Sequence, residues 1–188
     1  MKLIIGVLAA AAVSAVVAAQ APAPAPARAG AAGSPRSSIG TLAQLMRGIY
    51  FPNANLIFDV QQHDPGAPKK KTESTGTSTD TYSSAYSEWE KVENAAVALS
   101  DAVDLILKPG RMCQNGKPVP VSQPDFQQFA RAMRAAGIVA LQAARTRTQE
   151  KVSEATNDIA DACAGCHEVY RDKGPADSPA RCTPPAKR

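Results

Sequence analysis

Four stretches of this chain repeat apolar residues every three or four positions, the spacing that lines up side chains on one face of an α-helix. They begin near residues 38, 84, 122 and 148, and each spans roughly 24 residues, or ~36 Å of helix. No stretch alternates apolar and polar residues over a useful length, as a half-buried strand would. The pattern predicts an all-α fold, an antiparallel up-down-up-down four-helix bundle.

Local signals mark how these helices start and stop. The first pattern places Ile49, Asn53, Ile57 and Val60 on one buried face. It continues through Pro52 without changing phase, which predicts a kink within one helix. The second carries a capping box from Ser87 and Glu90 and stops at residues 108–110, Lys-Pro-Gly. The fourth ends at residues 174–175, Gly-Pro, a typical stop signal.

The ends of the chain have a different composition from the helices. Residues 1–19 read as a secretory signal peptide, with a charged Lys2, a short apolar run and three small residues at its end. The competing interpretation is an uncleaved membrane anchor. Residues 20–38 are an Ala/Pro-rich linker, residues 39–174 the helical domain and residues 175–188 a tail. We expect a periplasmic protein with no stable membrane insertion after cleavage.

Composition limits the functions open to the chain. The net charge of +4 is mild, and nothing has the basic density of a nucleic-acid binder. No acid/base pair or nucleophile stands out, so we expect no enzyme activity. Hydrophobic residues make up 44% of the chain but aromatic residues only 5%, so the core is rich in alanine. Such a core gains from another large apolar body to pack around.

The fourth helical pattern carries two cysteines and a histidine in the sequence ACAGCHEVYR. On a helix, Cys163, Cys166 and His167 fall within roughly 100° of arc and point into the bundle. Two thiols at this spacing can add to porphyrin vinyl groups, and the adjacent imidazole reaches the iron as an axial ligand. The motif therefore predicts one covalently attached haem c, which would also supply the missing apolar body.

Other uses of this motif fit its position less well. A redox-active cysteine pair needs its first cysteine at a helix N-terminus, where the helix dipole stabilises a thiolate. Both cysteines of this motif lie in the last turns of a helix, where the dipole destabilises a thiolate. A zinc site needs a fourth ligand, and the remaining cysteines fall in loops. A disulfide between residues three apart in one helix has poor geometry. An alternative of another class is a haem-free helical interaction module.

This motif, near the end of the fourth helix, resembles the class II c-type cytochromes, the cytochrome c′ family. The resemblance covers about residues 38–174 in architecture. It implies thioether bonds to Cys163 and Cys166, His167 as the proximal ligand and Arg171 beside the proximal imidazole. A class I cytochrome c is a poorer match because its motif lies near the N-terminus. The resemblance also implies a homodimer, although no face is indicated, and the redox partner protein stays unidentified.

The sixth position of the iron decides which function the resemblance implies. Met46, on the first helix and level with His167, stands where the family places its distal residue, although Met133 also faces inward. A Met46-ligated iron is low-spin and suits one-electron transfer, our main expectation. An open site would be high-spin and bind nitric oxide or carbon monoxide. Phe126 and Phe129 are placed at the haem end, where they are candidates for the haem wall or are simply core aromatic residues.

Two further cysteines, Cys113 and Cys182, lie in loops. With Cys163 and Cys166 used by the haem, they are the remaining pair in an oxidising compartment. The sequence therefore predicts a disulfide that closes a loop of about 70 residues.

Overall fold

The computed structural model describes residues 38–68, 86 and 88–183. The predicted signal peptide, all but Ser38 of the predicted linker, the predicted start near Ser84 and Ser87 of the predicted capping box lie outside these residues.

All regular elements in the described residues are helical. They are α1 (Leu42–Leu45), a π-helical turn (Met46–Tyr50), α2 (Phe51–Phe58), a 3-10 turn (Asp59–Gln61), α3 (Trp89–Asp101), α4 (Val103–Ile106), α5 (Pro124–Arg145) and α6 (Gln149–Tyr170). Residues 38–68, 86 and 88–183 contain no strand, only an isolated β-bridge between Met112 and Pro118. The all-α prediction is confirmed.

These elements form four helical segments, which we call the first (residues 42–61), second (89–106), third (124–145) and fourth (149–170). The first and the third segments each pack against both the second and the fourth. One hydrophobic cluster runs between the four, with contributions from every segment. The first two segments are shorter than the predicted length of roughly 24 residues.

The second segment starts later than predicted. It begins at Trp89, and its N-cap residue Glu88 has a φ of 62° and makes no side-chain capping bond. The predicted capping box is therefore wrong, because the helix begins two residues past Ser87 and leaves Glu90 in its first turn. The fourth segment ends at Tyr170, short of the predicted stop at residues 174–175.

The first segment contains a π-helical turn directly before Pro52. The Phe51 N–H donates to the Met46 carbonyl, five residues back rather than four. Proline has no N–H to donate, and its ring crowds the carbonyl four residues earlier, which belongs to Gly48. The wider turn fits this proline into a continuous helical segment, and it shifts the buried face by one position.

The prediction of an unchanged phase through Pro52 therefore holds only in part: Ile57 and Val60 of the predicted face are buried, but other positions are shifted. The buried residues of the first segment are Leu45, Tyr50, Ala54, Ile57 and Val60. Ile49 and Asn53, which the sequence pattern placed on the buried face, are only half-buried. The shift brings Tyr50 into the core one turn after Met46.

Candidate cofactor site

A cavity of about 500 Å³ opens at one end of the helical segments. All four segments contribute to its walls, which are formed largely by apolar side chains such as Leu99, Ile106, Phe126 and Ala130. Its volume lies within the range of ~300–1,000 Å³ that small molecules and cofactors occupy in proteins.

The fourth segment brings four of the predicted site residues to one wall of this cavity. Cys163, Cys166, His167 and Arg171 all line it. They recur at intervals of three, one and four residues, which keeps them on one side of the helix. Both cysteines are half-buried and are not bonded to each other. The spacing that suggested a shared site therefore does produce one contiguous surface.

Burial keeps both thiols of the motif protonated. It raises the pKa of Cys163, an effect that the nearby Arg171 partly opposes. Burial, followed by the neighbouring Cys163 and Asp125, raises the pKa of Cys166 to about 11. A reactive redox cysteine needs a lowered pKa, so this pair has the wrong electrostatics for disulfide exchange.

The imidazole of His167 is held neutral. Burial lowers its pKa, and the positive charge of Arg171 lowers it further, while Asp172 acts in the opposite direction. A neutral imidazole offers a nitrogen lone pair to a metal at neutral pH. Arg171 itself donates from Nε to Oδ1 of Asp172 at 2.7 Å.

Two aromatic residues of the third segment meet the end of the fourth segment in the cavity wall. Tyr170 makes edge contacts with Phe126 and Phe129, with ring centroids 5.1 and 6.3 Å apart. The Tyr170 hydroxyl donates to Oδ1 of Asp125 at 2.7 Å, and the Phe126 N–H donates to the same oxygen at 2.9 Å. The start of the third segment is thus fixed against the cysteine-bearing helix.

Both candidate methionines line the cavity. Met46 is half-buried in the π-helical turn, and Met133 is only 6% exposed on the third segment. The structure therefore brings Met46 into the cavity as predicted but brings Met133 there as well.

Tyr50 is a cavity residue that the sequence analysis missed. It is 5% exposed, and its hydroxyl is buried with no hydrogen-bond partner among the described residues. Burial also raises its pKa. The apolar periodicity assigned the neighbouring Ile49 to the core instead, and only Pro52 hinted that the phase could change.

One side of the cavity is closed by two stretches outside the helices. Residues 111–119 and 171–183, which we call the cap, are joined by the predicted disulfide between Cys113 and Cys182, which the structure confirms. Asn115 adds two bonds, donating to the carbonyls of Ser178 and Arg181 at 2.8 and 3.0 Å. The part of the predicted tail that the structure describes is therefore packed against the domain.

Among residues 38–68, 86 and 88–183, no three His, Cys, Asp or Glu side chains converge as a metal-binding group. Haem attachment does not require such a group, because the thiols bond to the porphyrin and a single imidazole reaches the iron.

Within the same residues, no helix is long and apolar enough to cross a membrane. In comparisons with known proteins, the chain matches no family model, no curated protein and no solved structure.

Proposed function

We propose that this chain is a periplasmic c-type cytochrome that transfers single electrons through one covalently attached haem. The observation that carries the proposal is the apolar cavity with Cys163, Cys166 and His167 along one wall. In this role the two cysteines hold the porphyrin by thioether bonds, and His167 is the proximal ligand. The bound haem would supply an iron centre that gains and loses one electron reversibly.

The chemistry of the donor set fits this group. Haem is a large apolar body with a central metal, and the cavity wall is largely apolar. Protonated thiols do not compete as metal ligands, and the neutral imidazole is ready to coordinate. Phe126 and Phe129 serve as the wall of the porphyrin pocket and exclude water from it.

An antiparallel up-down-up-down bundle belongs to the same proposal. The third and fourth segments are joined by residues 146–148 alone, a connection that suits antiparallel neighbours. The cavity takes residues from the first half of the third segment and from the second halves of the second and fourth, and residues along most of the first segment also line it. Residues from alternate ends meet in this way when successive helices run in opposite directions.

Met46 is the proposed sixth ligand. It lies on the first segment and lines the cavity that the cysteine wall also lines. Its place in the π-helical turn also supports this role, because such turns occur frequently at functional sites. Met46 and His167 together would hold the iron low-spin and leave no position for added ligands, which suits an electron carrier.

A stained denaturing gel tests the haem. Protein from a host with haem-attachment machinery should keep its haem stain after denaturation, and Cys166→Ala should weaken or abolish the stain. Cys113→Ala is the matched control, because it removes a cysteine of the disulfide and leaves both proposed thioethers intact. A folded, colourless wild-type protein from that host would contradict the proposal.

Spectra of two variants test the sixth ligand. Met46→Ala should convert the iron from low-spin to high-spin and allow rapid binding of carbon monoxide. Met133→Ala, a matched change at the other methionine of the cavity, should leave the spectrum nearly unchanged. If Met133→Ala opens the iron instead, the assignment of Met46 is wrong.

Tyr50 favours a second candidate function, the binding of small ligands at an open iron site. Its buried, unpartnered hydroxyl would donate to a polar ligand in the cavity, where unmade hydrogen bonds are costly. Under this alternative the wild-type protein is high-spin and binds carbon monoxide readily, and Tyr50→Phe raises the ligand's dissociation rate. A wild-type protein that is low-spin and does not bind carbon monoxide would exclude this second function.

A further inference from the structure

The charged side chains at the mouth of the cavity have one sign. Among its lining residues, Arg47, Arg171 and Arg181 carry a permanent charge, and none of the described lining residues is a carboxylate. Arg47 comes from the first segment, whereas Arg171, directly after the fourth segment, and Arg181 both belong to the cap. Two separate parts of the chain therefore converge to make this opening positive.

Arg47 and Arg181 make their hydrogen bonds to neutral groups, although Arg181 lies near enough to Asp172 to help lower the pKa of that carboxyl group. Arg47 donates to the amide oxygen of Gln114 at 3.0 Å, and Arg181 donates from Nε to the carbonyl of Gly174 at 3.0 Å. Neither forms an ion pair within the described part of the chain. Arg171, in contrast, is paired with Asp172.

The cap adds two further cations that form no ion pair among the described residues. Lys117 donates to the hydroxyl of Thr183 at 3.0 Å, and Lys173 donates to the carbonyl of the same residue at 3.2 Å. The carboxylates of the strap from 171 to 183 are Asp172, already paired with Arg171, and the exposed Asp177. Cations exceed unpaired anions on this surface.

An exposed aromatic residue lies at the same opening. Phe51 lines the cavity and is nevertheless 70% exposed, which is unusual for a large apolar side chain. Aromatic residues and arginines are enriched in protein interfaces, where an apolar centre is surrounded by a polar rim. Phe51 beside unpaired arginines has that composition.

We infer that the cavity mouth, formed by Arg47, Phe51 and Arg181 and extended by the cap lysines, is the docking surface for an acidic redox partner protein. The inference rests on the proposed function, because it places the partner next to the edge of the bound haem. Complementary charge would steer the partner into this orientation and raise the association rate. Charge complementarity makes a neutral surface a poorer occupant than a protein rich in Asp and Glu.

Two small oxidants of opposite charge report the electrostatic potential at the cavity mouth of the haem-loaded protein. In this assay each ferrous protein gives one electron to one oxidant, either ferricyanide or tris(phenanthroline)cobalt(III). The double variant Arg47→Gln/Arg181→Gln should slow oxidation by ferricyanide about threefold per charge removed at 0.1 M salt. It should leave the cobalt reaction unchanged or faster.

The matched control is Arg145→Gln/Arg147→Gln. It removes two charges from exposed residues at and just after the far end of the third segment, and so changes the net charge equally. Arg145 is paired with Glu93 at 3.8 Å, so the control also removes this ion pair. Equal slowing in the control and in the mouth variant would mean that only net charge matters and would overturn the inference. Haem-free protein would instead refute the proposed function.

Poly-L-glutamate tests the surface with an acidic macromolecule and needs no redox reaction. It should bind the wild type and the far-end control alike at low salt, and bind the mouth variant several-fold more weakly. Equal binding to all three proteins would overturn the inference. So would a wild-type dimer that Arg47→Gln/Arg181→Gln dissociates, because a second copy would then occupy the mouth.

Discussion

The disulfide of the cap offers a direct test of how this domain is stabilised. It joins Cys113 to Cys182 across 69 residues, and both cysteines are buried. The double variant Cys113→Ala/Cys182→Ala removes the bond and leaves Cys163 and Cys166 in place. Because the loop spans the third and fourth segments, its closure restricts a large part of the unfolded chain.

The magnitude follows from loop-closure entropy. A loop of 69 residues corresponds to ~4 kcal/mol of stabilisation through the unfolded state. Part of this loss is offset in the variant, because residues 171–183 regain conformational freedom in the folded protein once the disulfide is gone. Their remaining ties, such as the two bonds from Asn115, contribute only about 1 kcal/mol each. We therefore expect a loss of about 2–4 kcal/mol in the free energy of unfolding.

Urea unfolding, followed by the circular dichroism of the helices, measures this loss. The midpoint should fall by about 1–2 M urea. Reducing the wild type with dithiothreitol should reproduce the shift without any substitution, whereas the same treatment should leave the double variant unchanged. The reasoning is refuted if the free energies of unfolding of the oxidised wild type and the variant differ by less than about 1 kcal/mol. It is also refuted if alkylation of the native protein detects two free thiols other than those of Cys163 and Cys166.

Three smaller changes test other contacts. Gly137→Ala should lower the free energy of unfolding by about 1–2 kcal/mol, because its methyl group would crowd the Ser100 hydroxyl, and adding Ser100→Ala should recover part of the loss. Arg111→Met should cost about 2–3 kcal/mol in the same urea assay, since this buried side chain bonds two backbone carbonyls; an unchanged midpoint would contradict this. Burial raises the pKa of Tyr50 and Tyr170 above the ordinary 10.0, so the unfolded chain loses these protons first and stability should fall as pH rises past that value. Tyr50→Phe and Tyr170→Phe should each leave the tyrosinate absorbance step near pH 10 unaltered in folded protein; a smaller step would show that the replaced tyrosine ionises normally.

Local sequence determined the helices and the composition of the cysteine wall. The periodicity of the third and fourth patterns placed their starts near residues 122 and 148, and the structure begins them close by, at Pro124 and Gln149. Residues 163, 166, 167 and 171 reach one wall because their spacing is set by the helical repeat alone. The Cys113–Cys182 bond was also predictable, since the motif left only these two cysteines.

Tertiary structure decided the phase of the first segment and the surroundings of the site. Pro52 indicates that the helix is disturbed, but whether a helix kinks or widens at a proline depends on how its two halves pack. Here the π-helical turn buries Tyr50 instead of Ile49. The grouping of Arg47 with Arg181 at the cavity mouth has no counterpart in the sequence, because 134 positions separate them. Helical periodicity reports only contacts within about one turn, whereas a cavity and its charges arise where distant segments meet.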